Sequence, residues 1–174
     1  DTPAPTAESS PPSAGAWTNS LGMPFVSVPS APVRFCVWET RVQDFAKFVE
    51  ATGHDTGDAM LVAGTNGWQP CPGRNWRNPG FPQTPRHPVV GVNWHDARAF
   101  CQWLTEHERR QGRIGERAIY RLPTDVEWSA AVGLTNETGG NPQARFLGAP
   151  EVFPWGAHWP PTTLAGNFAP ELGV

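Results

Sequence analysis

Residues 87–104 read HPVVGVNWHDARAFCQWL, and the change of character at the middle of this stretch decides the class of fold. Its first half is a short apolar run interrupted by Pro88 and Gly91, too brief and too broken to be helical. Its second half carries the strongest helix signal in the chain. Asn93 is a good N-cap and Asp96 follows three residues on, where the positive end of a helix favours a carboxylate. Ala97, Phe100, Cys101 and Leu104 then make one apolar stripe until Gly112 stops the helix. Cys101 is therefore expected on a core-facing side.

Upstream, TRVQDFAKFVEATG repeats the pattern, with Val42, Phe45, Phe48 and Val49 at helical spacing, Thr40 as the expected cap and Gly53 where a left-handed terminator belongs. Before it, LGMPFVSVPS and VRFCVWE alternate apolar with polar residues, as in two short strands turning at Pro29 to Pro32. Downstream, RLP leads into a third helix in which Thr124 and Glu127 form an S/T-x-x-E capping box and Gly133 terminates. Its apolar residues are Trp128, Ala131 and Val132. Between the first two helices, residues 54–87 hold Pro or Gly every few positions. They are expected to be a long loop pegged by Trp68, Trp76 and Phe81. The stretch TNETGGNPQARFLGAPE is read as a turn-rich excursion.

These short elements agree with the composition. The 174 residues include 18 glycines and 20 prolines, more than a fifth of the chain, which argues against bundles, coiled coils and long helices. No run approaches the roughly 20 apolar residues of a membrane span. Nine Trp and nine Phe argue for a packed globular chain of one domain. The first sixteen residues, DTPAPTAESSPPSAGA, carry no large apolar group and read as an extended tether. With 13 basic residues against 16 acidic ones, and Lys47 the only lysine, no basic stripe is offered to a nucleic-acid backbone.

Several chemistries lack their residues. There is no G-x-S-x-G nucleophile turn and no Gly-rich phosphate loop. The five histidines, His54, His87, His95, His107 and His158, include no H-x-x-x-H or H-E-x-x-H pair; His95 and His107 would stand about 18 Å apart along one helix. A structural or solvated role is expected for each. Asn136-Glu137-Thr138 is a glycosylation sequon that a polar turn explains equally well. Glu106, Glu108, Arg109, Arg110 and Arg113 are expected on a solvated face near a helix end. Cys36, Cys71 and Cys101 are an odd set without C-x-x-C spacing, and three small buried hydrophobes is the simplest reading of them.

The succession WETRVQDFAKFVEATG, NWRNPGF, HPVVGVNWHDARAFCQWL, YRLPTDVEWSAAVG, FPWGAHWPP and AGNFA resembles the sulfatase-modifying factor family, whose best-known members are formylglycine-generating enzymes. The resemblance runs from about Asn19 to Ala169, and RLPTDVEW followed by FPWG is its most specific part. It implies an α+β, loop-rich variant of the C-type-lectin-like fold. The resemblance also implies domain limits, with residues 1–18 as a Pro/Ala/Ser-rich tether and 19–174 as the amino-terminal portion of the family domain, incomplete at its C-terminus.

Functionally, the resemblance implies oxidation of a polypeptide cysteine to formylglycine during sulfatase maturation. The reaction uses oxygen and a copper ion held by two cysteines of a later Arg-, Gly- and Ser-rich segment. No such segment is in this chain, so no catalytic residue is carried over, and residues 1–174 alone are expected to be inactive. Cys101 matches a helix cysteine that in some members forms a disulfide to the late segment. Asn167 and the main-chain carbonyl of Phe168 match part of a calcium site. Trp68 falls near the family's peptide-binding cleft, where it could anchor a peptide or simply peg its own loop. The implied partner is an unfolded sulfatase segment, and an extracytoplasmic setting is expected from the tether and the family. The competing expectation is a non-catalytic, lectin-like module that binds peptide or glycan within a multidomain protein.

Overall fold

A computed structural model of the chain describes residues 16–64, 67–134, 139–148, 153 and 158. The elements in chain order are β1 (Trp17–Thr18), β2 (Pro24–Ser27), β3 (Arg34–Cys36), α1 (Val42–Thr52), β4 (Ala59–Gly64), β5 (Gly67–Pro72), α2 (Trp94–Arg110), α3 (Asp125–Ala131) and α4 (Pro142–Gly148). The chain is mixed α and β, with small antiparallel pairings and short helices. Two compact units make up the chain, Asp1–Val26 with Cys36–Leu122, and Ser27–Phe35 with Pro123–Val174.

The core of the first unit lies where α1 and α2 present their apolar stripes. Phe45 and Phe48 of α1, and Phe100, Trp103 and Leu104 of α2, are buried together with Leu21, Met23, Val49 and Trp76. Removing such side chains from water contributes roughly 1.5–3 kcal/mol each. Phe45 meets Trp76 edge to face at 5.3 Å and Phe48 meets Phe100 likewise at 5.8 Å, while Phe45 and Phe100 lie stacked with centroids 6.2 Å apart, arrangements that ring quadrupoles favour. β1 joins this unit by pairing antiparallel with β2, Trp17 opposite Phe25.

The helix limits follow their caps. At α2, Asn93 Oδ1 accepts from His95 N–H and Asp96 N–H at 2.7 and 3.1 Å, and Asp96 accepts from Asn93 N–H at 2.8 Å. At α1 the cap moves one residue past the expected Thr40, to Arg41. Buried Asp44 accepts from the Arg41 N–H at 3.1 Å, and the Arg41 guanidinium grips the same carboxylate at 2.8 and 2.9 Å. A side chain three residues inside the helix thus chooses the start, whatever the flanking threonine offers. Gly53, with φ 67, ends the helix and donates to Val49 O at 2.8 Å.

The second unit contains the turn expected at Pro29 to Pro32, closed by Val28 N–H to Val33 O at 3.1 Å. α3 carries the capping box read from the sequence, Thr124 N–H to Glu127 at 2.8 Å and Glu127 N–H to Thr124 at 3.3 Å. α4 corrects the expected turn-rich excursion. Asn141 accepts from Ala144 N–H at 2.9 Å, and Arg145 of α4 donates to Asp125 of α3 at 2.7 Å.

A second correction concerns residues 54–87. In place of a loop without regular structure, β4 and β5 form an antiparallel hairpin in the register Ala59↔Pro72, Leu61↔Pro70 and Ala63↔Trp68. Pro70 and Pro72 obscure the strand in the sequence because proline removes a ladder donor. The residues after the hairpin turn back under it. Met60 N–H donates to Arg74 O at 2.8 Å and Gly73 N–H to Asp58 O at 2.8 Å.

Candidate functional site

The hairpin presents the most distinctive surface. Successive strand residues point to opposite faces, so the register places Ala59, Leu61 and Ala63 of β4 on the same face as Trp68, Pro70 and Pro72 of β5. All six are exposed, Leu61 by 57% and Trp68 by 73%. The face holds no charged side chain. Met60, on the opposite face, packs toward the body of the unit, with its sulfur beside Gly91. Trp68, the residue singled out as a substrate contact, is thus displayed on a strand rather than folded inward as a loop peg. Trp76 takes the pegging role instead, at 3% exposure, with the Arg77 guanidinium 4.1 Å from its ring centroid.

Phe81, the third expected peg, is 53% exposed and so is not one. Trp94 and Trp128 are also exposed, by 57% and 58%, whereas Trp103, on the inner side of α2, is buried. Trp94 is covered on one side by Arg98, 4.6 Å from its ring centroid. Along α2 this pair borders an open groove of about 640 Å³, further lined by Cys101, Gln102, Arg109 and Tyr120.

The three cysteines are free thiols on three different elements, Cys36 on β3, Cys71 on β5 and Cys101 on α2. Burial pushes the Cys101 thiol up to about 11. Burial also raises Cys36, and the Asp44 carboxylate adds to the shift. A copper dithiolate needs two sulfurs with thiolate character on one ion. The described residues contain no group of three or more His, Cys, Asp or Glu side chains arranged to hold a metal. Cys36 and Cys101 are thus biased toward the protonated thiol rather than the thiolate that copper takes. Asn167 and Phe168, the calcium candidates, lie outside the described residues, as do the tether through residue 15 and the sequon at Asn136.

Two polar arrangements escaped the sequence. His54, just past α1, bonds Asp96 of α2 at 2.9 Å and packs its ring 4.9 Å from Phe48. Glu108, read as part of a solvated charge run, is fully buried. Its carboxylate accepts from Ser20 N–H at 2.8 Å and from Arg113 at 3.3 Å, while Arg113 also donates to Thr18 O at 2.9 Å. A charge pattern that alternates in sign could have flagged this pairing, but nothing local told which glutamate turns inward. No described helix is long and apolar enough to cross a membrane.

Comparison with known proteins identifies the family. The sulfatase-modifying factor enzyme 1-like domain matches residues 33–170. The chain is 31% identical to the formylglycine-generating enzyme of Bos taurus over 147 residues, covering 68% of this chain and 32% of the relative. To the formylglycine-generating enzyme of Streptomyces coelicolor it is 30% identical over 161 residues, covering 77% of this chain and 45% of the relative. To a protein of Mus musculus named inactive C-alpha-formylglycine-generating enzyme 2 it is 33% identical over 108 residues, covering 58% and 26%. The chain therefore spans from about a quarter to under half the length of these relatives. No solved structure matches it.

Proposed function

The chain belongs to the sulfatase-modifying factor enzyme family, and from that membership we propose that it is the peptide-facing frame of a protein that oxidises a polypeptide cysteine to formylglycine, maturing a sulfatase. The match over residues 33–170 carries this reading. In it, the fold is the family's C-type-lectin-like variant, residues 1–18 are a tether and residues 19–174 the amino-terminal portion of the domain. The protein works outside the cytoplasm.

Within this proposal the copper-binding pair is not among Cys36, Cys71 and Cys101, and no step is assigned to a metal on these residues. Asn167 and the Phe168 carbonyl contribute two of the six to eight oxygens that calcium takes. Trp68 anchors the substrate peptide. Its exposure on an uncharged face supports this, since a rigid aromatic side chain gives large contact area at small entropy cost.

A second reading is a non-catalytic module that binds peptide or glycan. The likeness to a relative named inactive favours it. One pair of assays separates the readings. The protein carrying this domain is expected to convert the cysteine of a sulfatase-motif peptide to an aldehyde with copper and oxygen, and residues 1–174 alone to bind that peptide without converting it. Binding with no aldehyde from either would support the module; robust conversion by residues 1–174 alone would overturn the division of labour proposed here. Trp68→Ala is expected to weaken peptide binding at least tenfold, the scale of an aromatic anchor worth more than 1 kcal/mol.

A further inference from the structure

The two edges of the β4–β5 hairpin are unlike, and its prolines show how. Proline has no N–H, so it enters an antiparallel ladder only where its nitrogen points away from the partner strand. In the register Ala59↔Pro72 and Leu61↔Pro70, both prolines hold such positions. The bond from Gly73 N–H to Asp58 O at 2.8 Å flanks the Ala59–Pro72 pair and fixes the same alternation. Met60, Val62 and Gly64 therefore turn their main-chain groups toward β5, whereas Ala59, Leu61 and Ala63 turn theirs outward.

The outer edge of β5 is blunted, because of its outward residues Trp68, Pro70 and Pro72 only Trp68 has an N–H to offer. The outer edge of β4 keeps both N–H and C=O at Ala59, Leu61 and Ala63. Among the described residues, no third strand and no other main-chain group bonds to these three. All three are exposed. Their side chains belong to the uncharged face that also carries Trp68, so the row of main-chain groups and the aromatic face are continuous.

We propose that an extended polypeptide segment binds as a third strand along the outer edge of β4, main chain to main chain at Ala59, Leu61 and Ala63. This rests on the reading of Trp68 as a peptide contact and adds a grip on the peptide backbone that is independent of its side chains. Every second side chain of the segment lies beside Ala59, Leu61 and Ala63, on the Trp68 face. That face holds no charge to pair with an acidic or basic group, so the segment that fits is uncharged at alternate positions. An unfolded polypeptide has the free main chain this edge needs. A second copy of β4 is the poorer occupant: three of the six residues in AMLVAG are alanine or glycine, so two paired copies cover only a fraction of the roughly 1,200 Å² that a stable dimer buries.

Residue-resolved amide hydrogen exchange of the chain, with and without a sulfatase-motif peptide, tests this. In the free chain the Met60 and Val62 amides, which already donate within the unit, are expected to be protected, and those of Ala59, Leu61 and Ala63 to exchange fast. Saturating peptide is expected to slow the latter three at least about tenfold, the scale of one main-chain hydrogen bond gained. Leu61→Pro removes one outward N–H, as Pro70 does on the facing strand, and is expected to weaken peptide binding about tenfold, whereas Leu61→Ala keeps the N–H and weakens it less. A peptide that binds without slowing Ala59, Leu61 or Ala63 would overturn the third strand and leave Trp68 as the anchor. No binding at all would overturn both. Slowing of the same three amides when the chain is concentrated without peptide would give the edge to a second copy and overturn the proposal as well.

Discussion

Glu108 shows how much can turn on one side chain whose neighbours in sequence look ordinary. Five charged residues in eight read as a surface run, and four of them, Glu106, Arg109, Arg110 and Arg113, are exposed. The fifth is buried because α2 turns position 108 toward Ser20 and because Arg113, five residues later, comes back to it. Glu108→Ala is expected to cost about 2–4 kcal/mol, through the orphaned Ser20 N–H and the loss of a buried carboxylate's partners. Arg113 adds little to that loss, since its side chain is 41% exposed and water can take its place. Thermal unfolding of the variant measures this; an unchanged midpoint would show that the carboxylate is dispensable.

Cys101 makes a second prediction at this scale. Its thiol is raised to about 11 by burial, so the fold favours the protonated form. The stability that this contributes is fully present below the ordinary thiol range near 8.5 and is lost as pH climbs through about 11. Alkylation of Cys101, followed by mass spectrometry, is expected to stay slow at pH 8 and to accelerate toward pH 11. Rapid alkylation of Cys101 itself in the folded chain at pH 8 would contradict the burial.

At the scale of elements, the caps of α2 and α3 and the strands β2 and β3 were legible, whereas the cap of α1 and the β4–β5 hairpin were not. Asn93 with Asp96, and Thr124 with Glu127, announce their helices in four residues, because a cap is a local hydrogen-bond exchange. The β4–β5 hairpin depends on a partner strand, and Pro70 and Pro72 conceal it from any residue-by-residue reading. α4 is short and begins at a proline after Asn141, so it looks like a turn. Aromatic residues were legible as packing material but not as to side: Trp76 and Trp103 went inward, Trp68, Trp94 and Trp128 outward. Which way each points is set by partners far off in sequence.

Gly91 ties the hairpin to its support. It sits at φ 68, and a Cβ there would stand 3.2 Å from Met60 Sδ and 3.2 Å from the Trp76 backbone nitrogen. Met60 can yield, but the Trp76 backbone cannot easily do so. Gly91→Ala is therefore expected to cost more than the roughly 1–2 kcal/mol of the left-handed conformation alone. It should also raise amide exchange in β4 and β5 before it affects α1. Equal acceleration in α1 and the hairpin would show that the two do not open separately.

For the whole molecule, the family was legible in the order of its motifs, and the comparisons established it; the chemistry was not, because the residues that would perform it are not in the pattern. Cys36 and Cys101 are packed against an aromatic core and biased toward neutral thiols. What the chain offers instead is a firm frame, with α1 and α2 locked through Phe45, Phe48 and Phe100, and an uncharged hairpin face that displays Trp68. That exposed aromatic face is the feature on which the proposed capture of a polypeptide rests. The most direct test is to incubate the protein carrying this domain with copper, oxygen and a sulfatase-motif peptide, and to follow the peptide cysteine by mass spectrometry. The expected result is its replacement by the formylglycine aldehyde; recovery of a bound peptide with its thiol unchanged would contradict the proposal and leave a binding module in its place.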